Sequence, residues 1–224
     1  MKERAVVLLS GGLDSALCLA IAKINNYECY ALTFDYGQRH KAEIEAAKNT
    51  AKQQDVVEHK IVPLDLSFLS DSALINHDMD LPTEDAPQIP VTYVPGRNVL
   101  FLSYALAWAD TLKATNIYIG VNALDRAGYP DCRSEFIEAF RDTIDVATKT
   151  TTQGKKIRLQ TPLIDKSKAQ IIKIASAFNI DFANCVSCYS AETVGTACGE
   201  CDSCRLRQEG FAETELKDKI RYER

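Results

Sequence analysis

Ala5-Val6-Val7-Leu8-Leu9 is an unbroken apolar run, the pattern of a strand buried on both faces, as parallel strands sandwiched between helices are. A Ser-Gly-Gly turn follows. Leu17, Ile21 and Ile24 then recur at i, i+4 and i+7, which predicts a helix ending near Asn25-Asn26. Cys29 to Phe34 reads as a second strand, and His40 to Gln54, with Ile44, Ala47 and Ala51 in register, as a second helix. Val57 to Val62 is a weaker third strand. Gly96-Arg97-Asn98 opens an apolar stretch, Val99 to Ala109, about half the ~20 residues of a membrane span, which predicts a buried helix reaching Thr111. Asn116 to Val121 predicts a fourth strand running into Asn122-Ala123-Leu124-Asp125, and Phe136, Ile137, Phe140 and Ile144 mark one face of another helix. Ile157 to Leu159 is a short strand. Ser167 with Gln170 forms a capping-box pattern ahead of Ile171, Ala175 and Phe178. Strands alternate with helices throughout, so the expected fold is α/β with a doubly wound, mainly parallel sheet.

Between residues 65 and 95 the periodicity disappears, and Pro82, Pro87, Pro90 and Pro95 fall inside or close this stretch. Connections longer than about 15 residues are commonly functional, so it is read as a lid or specificity insertion.

Composition narrows the class. The chain has 224 residues, 46% hydrophobic and 25% charged, ordinary globular values that exclude disordered, collagen-like and membrane proteins. Acidic residues outnumber basic ones, 31 to 26, for a net charge of -5, so a protein gripping a nucleic-acid backbone is not expected. The apolar run after Met1-Lys2-Glu3-Arg4 is too short for a signal-peptide core, which predicts a cytoplasmic protein with no membrane partner. Of the 8 cysteines, those at 185, 188, 198, 201 and 204 crowd behind Asn184. That shift predicts an α/β domain over 1–183 and a small C-terminal module over 184–224. In a reducing compartment such crowding argues for metal. Cys188, Cys198, Cys201 and Cys204 supply four thiolates at a spacing that tetrahedral Zn²⁺ accepts, closed to further ligands and hence structural, one ion per chain. Paired disulfides and an iron–sulfur cluster are the alternatives, and Cys185 could compete as a ligand.

Ser10-Gly11-Gly12-Leu13-Asp14-Ser15 lies between a buried strand and a helix, where backbone N–H groups and the helix dipole favour an anion. The glycines admit a phosphate closely, Ser10 and Ser15 add hydroxyl donors, and Asp14 suits the Mg²⁺ that accompanies a nucleotide. A plain β-to-α turn with Ser15 as helix cap is the simpler alternative. No Lys-Ser/Thr ends the loop as in a P-loop, and the third glycine of the dinucleotide fingerprint is absent. Ligands of open α/β sheets bind outside the carboxyl ends of the strands, which brings Arg39, Arg97, Asp131 and Arg133 forward as substrate candidates. Arginine forks suit anionic groups. Lys166, just before the helix capped by Ser167, is the candidate to neutralise a leaving pyrophosphate.

The S-G-G-x-D-S string resembles the pyrophosphate loop of the N-type ATP pyrophosphatases. Six strings in order resemble the 7-cyano-7-deazaguanine synthase family: Ser10–Ser15, Phe34-Asp-Tyr-Gly-Gln-Arg-His40, Val94-Pro-Gly-Arg-Asn98, Gly128-Tyr-Pro-Asp-Cys-Arg133, Thr161-Pro-Leu163, and Ser187-Cys-Tyr189 with the Cys198-Gly-x-Cys-x-Ser-Cys-x-Leu-Arg207 tail. The likeness runs from Ala5 to about Phe211. It implies a ligase that joins carbon to nitrogen, converting 7-carboxy-7-deazaguanine, ammonia and ATP to the 7-nitrile through an adenylated carboxylate and an amide, with release of AMP and pyrophosphate. It also implies ATP with Mg²⁺ as co-substrate, zinc on the four cysteines and a homodimer. The implied nucleotide-binding stretch is Leu9, Ser10, Gly11, Gly12, Leu13, Asp14, Ser15, Ala16, Leu17, Cys18 and Leu19, with Asp14, Ser10 and Lys166 catalytic. Two features depart from the family pattern: the extra Cys185, and the 65–95 segment, which carries no matching motif. Sister chemistries sharing the loop, tRNA sulfur transfer and amide-forming synthetases, are the competing readings, with a nucleotide-sensing module as the non-enzymatic one.

Overall fold

The computed structural model describes residues 2–39, 41–81, 89–123 and 128–223; the readings placed on His40, Pro82, Pro87, Leu124 and Asp125 lie outside them. Five parallel strands, β1 (Arg4–Leu8), β2 (Glu28–Asp35), β3 (Glu58–Pro63), β4 (Asn116–Tyr118) and β5 (Arg158–Gln160), form one sheet in the order β3-β2-β1-β4-β5. The order reverses beside β1, so the carboxyl end of β1 opens at a topological switch point.

The apolar run of β1 has a direct reason. Ala5, Val7 and Leu9 enter one core with α1 (Leu13–Ile24), while Val6 and Leu8 enter the opposite core with α3 (Arg97–Leu112). Both faces are covered, so neither alternate set can be polar. The weaker pattern of β3 is that of an exposed edge strand. α2 (Ala42–Gln53) is short of large apolar residues and buries alanines instead, Ala42, Ala46, Ala47 and Ala51. Further helices follow at α4 (Ser134–Ala147), α5 (Lys149–Thr152) and α6 (Lys168–Ala177), the last opened by the expected capping box of Ser167 and Gln170.

The buried helix expected over Val99 to Ala109 is present, but it is buried on one side only. α3 buries Leu102, Ala105, Leu106 and Ala109, whereas Val99 and Tyr104 are about two-fifths exposed. Only one side of α3 faces the sheet, and apolar content alone cannot say which residues lie on the other. No described helix is long and apolar enough to cross a membrane.

The C-terminal segment adds α7 (Asp202–Ala212) and a two-stranded parallel sheet, β6 (Thr196–Ala197) with β7 (Arg221–Tyr222). Cys188, Cys198, Cys201 and Cys204 share a small apolar cluster with Ala42 and Ala46 of α2, and α7 packs on α6. Of the 65–95 stretch, Leu66, Ala73 and Leu74 are buried, and Leu66 and Leu74 share the core cluster of Leu32 and Phe34 in β2.

Candidate functional site

The turn after β1 is built from its own hydroxyls. Ser15 Oγ accepts from the Ser10 N–H at 3.1 Å and donates to the Gly12 carbonyl at 2.9 Å, while the Gly12 N–H donates to Ser10 Oγ at 3.3 Å. Gly12, not Ser15, is the residue that caps α1, and no side chain caps that helix. The first-turn N–H groups therefore face the cleft beyond the turn with only the helix dipole behind them. Gly11 holds φ +91°, and its carbonyl accepts from the Val186 N–H at 3.0 Å, which ties the start of the cysteine segment to the loop.

A cleft of about 300 Å³ opens here, floored by the ends of β1 and β2. Leu9, Ser10, Gly12, Leu13, Asp14 and Ser15 line it. Ala16, Leu17, Cys18 and Leu19 are wholly buried in the core and do not, because the helix turns their side chains under the sheet. Asp14 accepts from Lys168 Nζ at 2.9 and 3.0 Å and from Asn122 Nδ2 at 2.7 Å. Lys166, expected in that role, is not among the lining residues. It precedes the helix, with its own N–H bonded to the Leu163 carbonyl, and Lys168 in the first turn of α6 occupies the place beside Asp14. The sequence held both lysines; only the N-cap position of Ser167 distinguishes them.

The arginines divide. Arg97 lines the cleft and donates to the Tyr36 hydroxyl at 3.2 Å. Arg39 lines it too, but its guanidinium is spent on the carbonyls of Ala73, Asn76 and Met79, so it fastens the 65–95 stretch to the rim. Arg133 is exposed and outside the cleft, at the N-cap of α4. Asp131 is buried: its carboxylate accepts from the Asn98 N–H at 2.9 Å and its carbonyl accepts from Asn98 Nδ2 at 3.1 Å, which anchors the first turn of α3. Reasoning from sequence missed Glu43, Tyr36 and Tyr189 on the cleft wall. Glu43 sat within the predicted second helix as an unremarkable charge. Burial pushes its carboxyl up to about 7, against the pull of Arg97.

The Sγ atoms of Cys188, Cys198, Cys201 and Cys204 all lie within 4.8 Å of one another, and those of Cys198 and Cys204 are 3.9 Å apart. A tetrahedron with metal–sulfur bonds of about 2.3 Å has edges of roughly 3.8 Å, so the set fits one tetrahedral ion. Backbone N–H groups of Ser190 and Cys198 donate to Cys188 Sγ at 3.2 and 3.3 Å, which favours thiolate. All eight cysteines are free. Cys185 is separate from the cluster: its thiol donates to the Asp181 carbonyl at 3.4 Å, and burial pushes it up to about 12. Gly199 holds φ +83° within the knuckle. Tyr189, the residue after Cys188, lines the cleft, so the cluster also sets one wall of the site.

A doubly wound parallel sheet with an uncapped helix N-terminus after the glycine turn at its switch point, joined to a four-cysteine metal-binding module, defines the class. A solved NMN synthetase from Francisella tularensis shares this fold with a TM-score of 0.53 at 14% identity, covering 98% of this chain and 81% of its own. A predicted subunit of a tRNA methyltransferase from Methanocaldococcus jannaschii superposes with a TM-score of 0.50 at 22% identity, covering 78% and 74%. At such identities the likeness speaks of fold alone. The family is fixed by sequence: residues 4–215 match the model of the queuosine biosynthesis protein QueC, and the chain belongs to that family. It is 53% identical over 221 residues to the 7-cyano-7-deazaguanine synthase of Stutzerimonas stutzeri, covering 99% of each chain, and 52% identical to that of Saccharophagus degradans, covering 98% of each.

Proposed function

We propose that this chain converts 7-carboxy-7-deazaguanine and ammonia to 7-cyano-7-deazaguanine, using ATP twice and passing through the amide. The observation that carries the reading is the open first turn of α1 in the cleft beside the Asp14–Lys168 pair, in a chain that belongs to the QueC family. Turning a carboxylate into a nitrile removes both oxygens, and neither leaves as hydroxide at neutral pH. Each must first be joined to phosphorus. The chain's work is alignment and charge stabilisation. Ser10 and the first-turn amides of α1 receive the phosphates, and Lys168 neutralises charge that develops on the departing pyrophosphate. Asp14 is the carboxylate suited to hold Mg²⁺, which shields the phosphates when ATP is bound. The four cysteines would hold one zinc ion, whose contribution is folding energy. Arg39 and the buried part of 65–95 shape the rim of the cleft. A homodimeric state, a cytoplasmic location and the division at residue 184 belong to the same reading and rest on the family resemblance and the clustering of cysteines.

The test is mass spectrometry of the product after incubation with the acid, ATP and ammonium, with AMP counted. Nitrile with two AMP per product from the acid, and one from supplied amide, is expected. A reaction that ends at amide with one AMP would assign the chain to amide synthesis instead.

A further inference from the structure

Most charged groups around the cleft are committed. Asp14 is paired with Lys168, Arg39 is held by backbone carbonyls, and Arg207 is held by Asp218. Glu43 differs: among the described residues its carboxylate makes no hydrogen bond or ion pair, yet it lines the cleft. Its surroundings are specific. Arg97 lies near enough to act on its charge, and Glu43 acts in turn on the hydroxyl of Tyr36, to which Arg97 donates. Phe34, Tyr36, Phe101, Tyr129 and Tyr189 supply aromatic surface to the same cleft, with Phe34 and Phe101 stacked at 4.1 Å. A flat heteroaromatic ring is the ligand such walls accept. One aromatic-walled cleft therefore offers a carboxylate with two acceptor oxygens and a guanidinium donor.

That set of groups matches one edge of one ring type. A guanine-like pyrimidine ring carries two adjacent donors, the 2-amino group and N1–H, followed by an acceptor, O6. An adenine edge presents an acceptor and one donor, and would set its ring nitrogen against the carboxylate. We propose that Glu43 is the residue that selects the deazaguanine ring, accepting from its 2-amino and N1–H groups through both carboxylate oxygens while Arg97 donates to O6. The assignment rests on the substrate proposed above and excludes the adenine of ATP from this position. Two charge-assisted hydrogen bonds from the ring also offset the burial that disfavours the ionised carboxylate. The main chain of Glu43 abuts Gly11, so the residue that reads the ring is in contact with the phosphate loop.

The experiment is calorimetric titration of wild type and Glu43→Gln with three ligands separately: 7-carboxy-7-deazaguanine, its analogue lacking the 2-amino group, and ATP. A glutamine oxygen accepts from only one donor and its amide opposes the other, so the acid should bind roughly 10- to 100-fold more weakly, by loss of a charged hydrogen bond. ATP affinity should stay within about twofold of wild type. Removing the 2-amino group should weaken binding to wild type at least about tenfold and to Glu43→Gln far less. Equal penalties in both proteins, a loss confined to ATP, or unchanged affinity for the acid would overturn the assignment. Should Glu43→Gln fail to fold, the analogue still decides on wild type alone, since undiminished affinity there refutes recognition of the amino group. Turnover is scored separately: Glu43-dependent selectivity for the acid, with no nitrile formed by wild type, would uphold this inference and sink the proposed reaction.

Discussion

The two adjacent glycines of the loop look equivalent in sequence, and the structure separates them. A Cβ on Gly11 would overlap the carbonyl oxygen of Glu43 and stand 3.0 Å from the Glu43 carbonyl carbon and 3.1 Å from the Ala47 nitrogen. All three are main-chain atoms of α2, which cannot rotate aside. The φ of +91° adds about 1–2 kcal/mol for any residue with a Cβ, and overpacking adds typically 1–3 kcal/mol. Gly11→Ala should therefore lose roughly 2–5 kcal/mol, which for a chain of this size lowers Tm by roughly 5–15 °C. Gly12 has φ -83°, and its added Cβ would meet only Ser10 Oγ and the Val186 carbonyl oxygen, each at 3.4 Å. Gly12→Ala should melt within about 2 °C of wild type, yet lose turnover by at least about tenfold, because that methyl group stands in the cleft where phosphate approaches. Thermal unfolding by circular dichroism and an AMP-release assay read the two effects. A Gly11→Ala protein that melts with wild type, or a Gly12→Ala protein that melts below Gly11→Ala, would refute the packing argument.

Lys168→Ala should cost turnover at least about tenfold and Lys166→Ala less than about threefold; the opposite ranking in steady-state kinetics would restore Lys166 to the site. Asp218 is partly buried, which opposes its charge, but the hydrogen bonds and charge of Arg207 and the Tyr222 hydroxyl hold its carboxyl below the usual range. A lowered folded-state pKa contributes stability that is present above the unfolded value near 4 and lost as pH falls through the folded one. Asp218→Asn, which leaves Arg207 2% exposed without its counter-charge, should destabilise by roughly 3–5 kcal/mol at pH 7. The gap in Tm should shrink below about pH 4, and a gap that persists at pH 2 would contradict this. Cys201→Ser should lose its metal and lower Tm, whereas Cys185→Ser should keep one zinc per chain by elemental analysis; equal loss in both would place Cys185 among the ligands.

Much of this protein was legible in one dimension because the information is periodic or local. The continuous apolar run of β1 required cover on both faces, and the Ser167–Gln170 box marked its helix because capping involves residues three apart. The four-cysteine cluster followed from spacing alone, since three of its members lie within seven residues and geometry confines them. Contacts between distant segments were decided by the tertiary structure. Lys168 meets Asp14 across 154 positions, and the capping box that puts it inside the helix and Lys166 before it does not reveal that contact. Arg39 and Arg97 look alike in sequence, but the carbonyls of 73–79 occupy one and leave the other in the cleft. Glu43 gave no signal, because its meaning lies in Arg97, Tyr36 and Gly11, which reach it only when α2 packs over the loop. Hydrophobic burial and short-range hydrogen bonding write a repeating code into the chain, whereas the charge environment of a side chain depends on neighbours that the fold alone brings near.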